Sequence, residues 1–285
     1  MTAVHDRVVV ADSTAANSLA RISVARNRVG PSAADLDLVI PVLNEEHRLP
    51  ATLEAVLGYL DMQPWRCRVI VVDNGSVDAT TDVVDKAGVH RLEVEVIGCS
   101  TKGKGAAVRQ GIAHSTARWV GYLDADMSTP VETIGEAVHQ IQRGFDVAIA
   151  SRRCTGARFV IDQPIARRIA SRTFHFLTRS LVGGVADTQC GFKLFDGPKA
   201  RILFADCGLS GFTFDVEVLG KAHRSGMRMI EVPVDWSHCD GSTLQIGREA
   251  VKVAKEVLAV HAALRSGGGP PRSGGGAQRG NVAPR

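Results

Sequence analysis

The sequence predicts an α/β fold with a mostly parallel central sheet and helices on both faces. Two observations carry this. Short apolar runs alternate along the chain with segments whose apolar residues recur at helical spacing. With 45% hydrophobic and 22% charged residues, 285 residues are enough to pack a large core.

The alternation begins at "LDLVIP" (Leu36 to Pro41), read as the first strand. "LPATLEAVLGYL" follows as a helix, with Leu49, Leu53, Val56, Leu57 and Leu60 on one face and Pro50 suited to a first turn. "RVIVVD" (Arg68 to Asp73) is a second, buried strand. "NGSVDATTDVVDKAG" is a helix expected to start at an N-cap Ser76 and stop at Gly88. "LEVEVIG" is a strand, "KGAAVRQGIAHS" a helix and "RWVGYLDAD" a strand. "VETIGEAVHQIQRG" is a helix stopped by Gly144, and "DVAIAS" a fifth strand. We place one domain at 35–265, preceded by a flexible arm (1–34) and followed by a disordered Gly/Pro/Arg-rich tail (266–285). There is no internal repeat.

The formal charge of +4 is too small to argue for nucleic acid, but suits an anionic substrate or an anionic membrane surface. The six cysteines are scattered singly, without zinc spacing, and read as reduced thiols. No apolar run reaches the length of a membrane span, and the first residues lack the pattern of a signal peptide. A soluble, cytoplasmic protein is the expectation.

In parallel sheets ligands bind beyond the carboxyl ends of the strands. Three motifs fall there and are expected to share a cleft: Pro41 to Glu46, Asp73 to Ser76 and Asp124 to Ser128. In "VGYLDADMSTP", Asp124 and Asp126 repel each other unless a cation joins them. Oxygen ligands suit Mg²⁺ or Mn²⁺, and Mg²⁺ typically uses one or two carboxylates plus substrate phosphates. In "GCSTKGKGAAVRQG", Gly103 and Gly105 would let backbone approach a ligand, Lys102 and Lys104 add positive charge, and a helix N-terminus follows. The loop is not a P-loop, and no GxGxxG follows the first strand, which argues against a dinucleotide dehydrogenase.

The pieces "IPVLNEE", "VVDNGSVDAT", "KGKGAAVRQG", "DADMSTP", "DTQCGFKLF" and "EVPVDW" resemble the family-2 glycosyltransferases of GT-A fold, whose sheet is Rossmann-like. Among them the chain is most similar to polyprenyl- and dolichyl-phosphate sugar synthases, in particular the dolichyl-phosphate glucosyltransferase branch. The resemblance spans about Leu36 to Leu264. It implies that Pro41, Leu43 and Glu45 line a nucleotide-sugar pocket with Asp73 at the base or ribose; Lys102 and Lys104, by the charge they bring to the glycine loop, are expected to stabilise the leaving diphosphate. It implies Asp124 near the diphosphate and Asp126 as main ligand of Mg²⁺ or Mn²⁺. Arg152 would meet the acceptor phosphate, and Asp187, Gln189 and Lys193 would border the sugar and that phosphate. Two departures stand out: Ser128 where mannosyl members often have Gln, and Ser242-Thr243 where relatives often have Ser-Lys, with Arg248 as a possible substitute.

The expected activity is inverting transfer of a hexose, glucose from UDP-glucose on the branch resemblance, to a polyprenyl phosphate. GDP-mannose as donor, a soluble acceptor and a non-catalytic nucleotide-sugar sensor are the alternatives. In "PIARRIASRTFHFLTRSLVGG" (Pro164 to Gly184) four arginines interleave with apolar residues. Such a basic amphipathic helix can lie in a membrane interface, which would make the protein peripheral on the inner face of the plasma membrane; it can equally be a core-facing helix with a solvated side. A second helix at 247–264 could join it.

Overall fold

The structure is a computed structural model and describes residues 34–86, 92–159, 174–211, 213–236 and 256–262. Residues 1–33 of the proposed arm, the tail, Ser242, Thr243, Arg248, the first half of the basic segment and most of 247–264 lie outside the described residues.

Seven strands form the central sheet: β1 (Leu36–Val42), β2 (Cys67–Asp73), β3 (Glu93–Gly98), β4 (Trp119–Leu123), β5 (Val147–Ser151), β7 (Phe192–Asp196) and β8 (Met229–Pro233). β6 (Arg158–Phe159) and β9 (Asp235–Trp236) pair separately. The order in the sheet is β3-β2-β1-β4-β7-β5-β8. All pairings are parallel except those of β7, which runs antiparallel to both β4 and β5. The α/β fold with a mostly parallel sheet is therefore the observed one.

Strand alternation divides the core in two. Leu36, Leu38, Ile40 and Val42 of β1 face one layer with Trp119 and Leu123 of β4. Helices α1 (Leu49–Asp61) and α4 (Thr133–Gln142) cover that face through Leu53, Leu57, Ile134 and Val138. Val39, Val120 and Tyr122 face the other layer, covered by α3 (Lys104–His114), α5 (Gly197–Ala205) and α6 (Phe214–Arg224). Gly144 ends α4 with φ 95°, as the sequence suggests. Helix α2 (Thr80–Lys86) starts four residues after the expected N-cap, because Ser76 is engaged elsewhere: its Oγ accepts the Asn44 amide at 2.9 Å.

The strand order reverses between β1 and β4, and there the sheet opens. β1 pairs with β2 along its full length, but with β4 only from Leu36 to Val39. Beyond Val39 the two strands part. Pro41, which lacks a ladder donor, sits in this unpaired stretch of the β4 side and is tolerated in a central strand for that reason.

Candidate active site

The loops after β1, β2 and β4 meet at this opening. Two non-glycine residues there take left-handed backbone, Asn44 (φ 56°) and Met127 (φ 55°). Such conformations persist where surrounding bonds fix them. Asn44 Oδ1 accepts the Val77 amide at 2.9 Å, and Thr80 Oγ1 accepts the Glu45 amide at 2.8 Å. Asp73 accepts the amides of Gly75 and Ser76, closing the turn after β2. Leu43, half exposed, and Val77, 91% exposed, form an apolar rim beside it.

The turn after β4 carries the acidic pair. Asp126 Oδ1 accepts the Ser128 amide at 3.0 Å. The buried Thr52 hydroxyl of α1 donates to the Ala125 carbonyl at 2.8 Å and fixes the backbone between the two aspartates. Asp124 donates its amide to the Gly191 carbonyl at 2.9 Å, and a Cβ on Gly191 would lie 2.7 Å from Asp124 Oδ2. Only glycine leaves room for that carboxylate. Burial pushes the Asp124 carboxyl above its ordinary range; Lys104 opposes this and Asp126 adds to it. Glu45 is raised too, first by burial, with Arg48 opposing and Asp126 and Asp124 adding. Three carboxylates therefore crowd one corner.

Lys104 answers part of this charge. Its ammonium lies 2.6 Å from Asp124 Oδ1 and donates a hydrogen bond to Oδ2 at 2.9 Å. Oδ1 is buried and meets the ammonium as an ion pair without an aligned hydrogen bond. Carboxylates crowded together and answered by a single ammonium fit a divalent cation, and Asp124 and Asp126 are the residues that would hold it. Among the described residues no three His, Cys, Asp or Glu side chains converge as a complete metal cage, so further ligands would come from substrate oxygens and water.

The glycine loop differs from the sequence reading. Cβ atoms at Gly103 and Gly105 would strike Ser210 O at 2.1 Å and Phe214 Cβ at 2.6 Å. The close approach these glycines permit is to the 209–214 segment, not to a ligand. The Gly105 amide is taken by Ser210 O and the Gly103 amide by Asn74 Oδ1 at 2.6 Å. Positive charge reaches the acidic pair through the Lys104 side chain, while Lys102 stays exposed in the loop.

Across the cleft, after β5, Arg152 grips Asp187. Its Nε and Nη2 donate to the two carboxylate oxygens at 2.7 and 2.9 Å, and its amide adds a third bond at 3.0 Å. The Gln189 amide supplies a fourth at 3.2 Å. Burial alone would raise the Asp187 carboxyl, but the hydrogen bonds and charge of Arg152 hold it below its ordinary range. Burial likewise works against the Arg152 charge, and Asp187 overcomes it. Asp187, expected to touch reactants, thus spends its oxygens on Arg152 and its own loop. One short segment ties both sides together: its Asp187 binds Arg152, and its Gly191 carbonyl accepts the Asp124 amide. The Gln189 side-chain Nε2 is buried without a partner.

Lys193 is a correction. It was expected at the acceptor phosphate, but its side chain is fully buried. Alternation along β7 sends Phe192 and Leu194 to one layer and Lys193 with Phe195 to the other. There its ammonium meets Asp215 Oδ1 at 2.5 Å and the Cys190 carbonyl at 3.0 Å, and Tyr122 hydroxyl donates to the same Asp215 oxygen. Thr52, Asn74, Gly191, Asp215 and Glu231, whose carboxylate accepts the amides of Ala186 and Asp187 at 3.0 Å, were not singled out in the sequence. Each acts across more than twenty residues of chain, so no local pattern marks it.

The Glycosyl transferase family 2 profile matches residues 37–196, from the first strand through β7. The chain belongs to this family. The transferase is 35% identical over 239 residues to the dolichyl-phosphate beta-glucosyltransferase of Drosophila melanogaster, covering 75% of this chain and 73% of that protein. It is 32% identical to the human dolichyl-phosphate beta-glucosyltransferase, covering 78% and 74%. In fold it is similar to glucosyl-3-phosphoglycerate synthase of Mycobacterium tuberculosis, solved with Mn²⁺, UDP-glucose and phosphoglyceric acid (TM-score 0.61, 16% identity, 87% and 88% covered). The fold of this transferase is thus of the GT-A type. No helix among its described residues is long and apolar enough to cross a membrane.

Proposed function

We propose that the protein transfers glucose from UDP-glucose to a dolichyl-type polyprenyl phosphate with inversion at the anomeric carbon. The observation that carries this is the pair of cations beside the acidic corner: Lys104 on Asp124 itself, and Arg152 on Asp187 of the segment whose Gly191 carbonyl accepts the Asp124 amide. The reaction brings two anions together, and a site for it needs positive charge on both sides. The names of the relatives supply the sugar and the lipid phosphate, and fold neighbours hold UDP-glucose in their own crystals.

In this reading a phosphate oxygen of the acceptor attacks the anomeric carbon. The bond from that carbon to the diphosphate oxygen breaks, and its electron pair leaves with UDP. The acceptor needs no strong general base, because a phosphomonoester is largely ionised near neutral pH, with a second pKa of about 6. Arg152, held rigid by Asp187, would orient the acceptor phosphate. Lys104 would meet charge growing on the leaving diphosphate. Leu43 and Asp73 would receive the base and ribose, with Pro41 and Glu45 at the pocket wall and Lys102 at its mouth. Gln189 would offer its amide to sugar or acceptor. A divalent cation on Asp124 and Asp126 would supply Lewis-acid stabilisation of the diphosphate.

The lipid side is supported by the described half of the basic segment. Phe176 (66% exposed) and Leu177 (49%) stand outward, with the Arg179 guanidinium 5.1 Å from the Phe176 ring. Apolar tips beside a cation suit a headgroup boundary, and peripheral attachment at a cytoplasmic membrane face is the corresponding proposal.

The test is incubation with radiolabelled UDP-glucose, UDP-galactose or GDP-mannose and a polyprenyl phosphate, followed by solvent extraction. Label from UDP-glucose is expected in the organic phase. Label arriving only from GDP-mannose would refute the sugar, and transfer only to a water-soluble phosphate would refute the acceptor.

A further inference from the structure

The Lys104 ammonium covers both oxygens of Asp124, at 2.6 and 2.9 Å. These are atoms that a divalent cation on the acidic pair would need. Two cations on one carboxylate edge repel by several kcal/mol at roughly 4 Å in a partly screened site. Lys104 must therefore leave if Asp124 takes a metal ion.

The structure fixes the root of this side chain, while its tip is held only by Asp124. Gly103 and Gly105 lock the start of α3 against Ser210 and Phe214, so the backbone cannot follow a moving ammonium. The four-carbon stem can turn alone. Asp215, at the inner end of the site, also draws the Lys104 charge, but it is already bonded to Lys193 and Tyr122. The remaining direction is the cleft, where the donor's diphosphate would lie.

We propose that Lys104 is an exchangeable counter-ion: it neutralises Asp124 in the ligand-free protein and passes to the nucleotide diphosphate when a divalent cation takes Asp124. Metal and nucleotide then bind cooperatively through one side chain. The inference rests on the donor half of the proposed function and is independent of the acceptor.

A fixed lysine would behave differently. It would weaken metal binding and strengthen nucleotide binding by constant factors, leaving the coupling between them untouched. An exchanging lysine contributes to the coupling itself, which is the same factor measured from either ligand.

The probes are Mn²⁺, followed by electron paramagnetic resonance of the free ion, and UDP; no turnover is involved. The coupling factor is the ratio of Mn²⁺ dissociation constants without and with saturating UDP. Lys104→Met is expected to lower it about tenfold, within the usual range of coupling energies. A coupling factor equal within about twofold in both proteins, with Mn²⁺ and UDP still bound, overturns the exchange alone. Wild-type protein that binds no Mn²⁺ even with UDP overturns both the exchange and the metal part of the proposed function. Should Lys104→Met fail to fold, Asp124→Asn tests the contact from its other side. UDP alone should then bind severalfold more tightly than to wild type, and unchanged or weaker binding overturns the proposal.

Discussion

Asp124 and Asp187 stand on opposite sides of one cleft and show what a shared residue type can do. Asp187 is almost fully buried and accepts four hydrogen bonds, three of them from Arg152. Its carboxyl is held below the ordinary range. Asp124 has one ammonium shared between its two oxygens and a second carboxylate nearby, and its carboxyl is raised by burial. The Asp187 side is finished in the folded chain. The Asp124 side is left short of positive charge. A saturated carboxylate builds a wall, and an unsatisfied one marks where a ligand completes the structure.

The same change, Asp to Asn, should separate the two sides. Asp187→Asn leaves a buried guanidinium without its counter-charge and is expected to cost ~3–5 kcal/mol of stability at neutral pH. Because the folded carboxyl is depressed, this contribution is present above the unfolded value of about 4 and fades as pH falls through the folded value. Urea unfolding of wild type and variant should show a gap that narrows with acid below about pH 4. A gap that is constant across that window would place Asp187 with ordinary packing residues.

Asp126→Asn should do the reverse. It relieves crowding with Asp124 and Glu45, so stability should hold or rise slightly. Transfer should fall by about 10²–10³-fold, the scale of losing one group that stabilises developing charge. Activity assays over a Mn²⁺ titration check this; full turnover at limiting metal would remove Asp126 from the metal site.

The smallest change sharpens the line between support and chemistry. Asn74→Ala takes the acceptor from the Gly103 amide and the donor from Thr101 O. It should cost ~1–3 kcal/mol and raise the KM for the nucleotide sugar more than it lowers kcat. A pure loss of kcat would mean that Asn74 touches the reaction directly.

The strands and the cleft were legible because buried parallel strands are apolar runs and their ends bear the polar residues. The acidic pair and Glu45 were legible for the same reason: they follow β4 and β1. The antiparallel β7 was not. "GFKLF" shows no sign that it lies between β4 and β5, and its direction decides which layer receives Lys193. The role of the glycine loop was misread because a glycine that admits a ligand and one that admits Ser210 look alike in sequence. Thr52 and Asp215 carry ordinary helix positions; their partners are 73 and 93 residues away.

The place of β7 also sets an order of assembly. Strands β3, β2, β1 and β4 form one hydrogen-bonded half and β5 with β8 the other, and β7 alone joins them in the ladder. A nascent chain emerging from the ribosome can complete the first half once residue 123 is free. It then holds an open edge on β4 until residues 192–196 arrive. That interval is the time at which a chaperone has most to protect, since an unpaired central edge is a template for wrong partners.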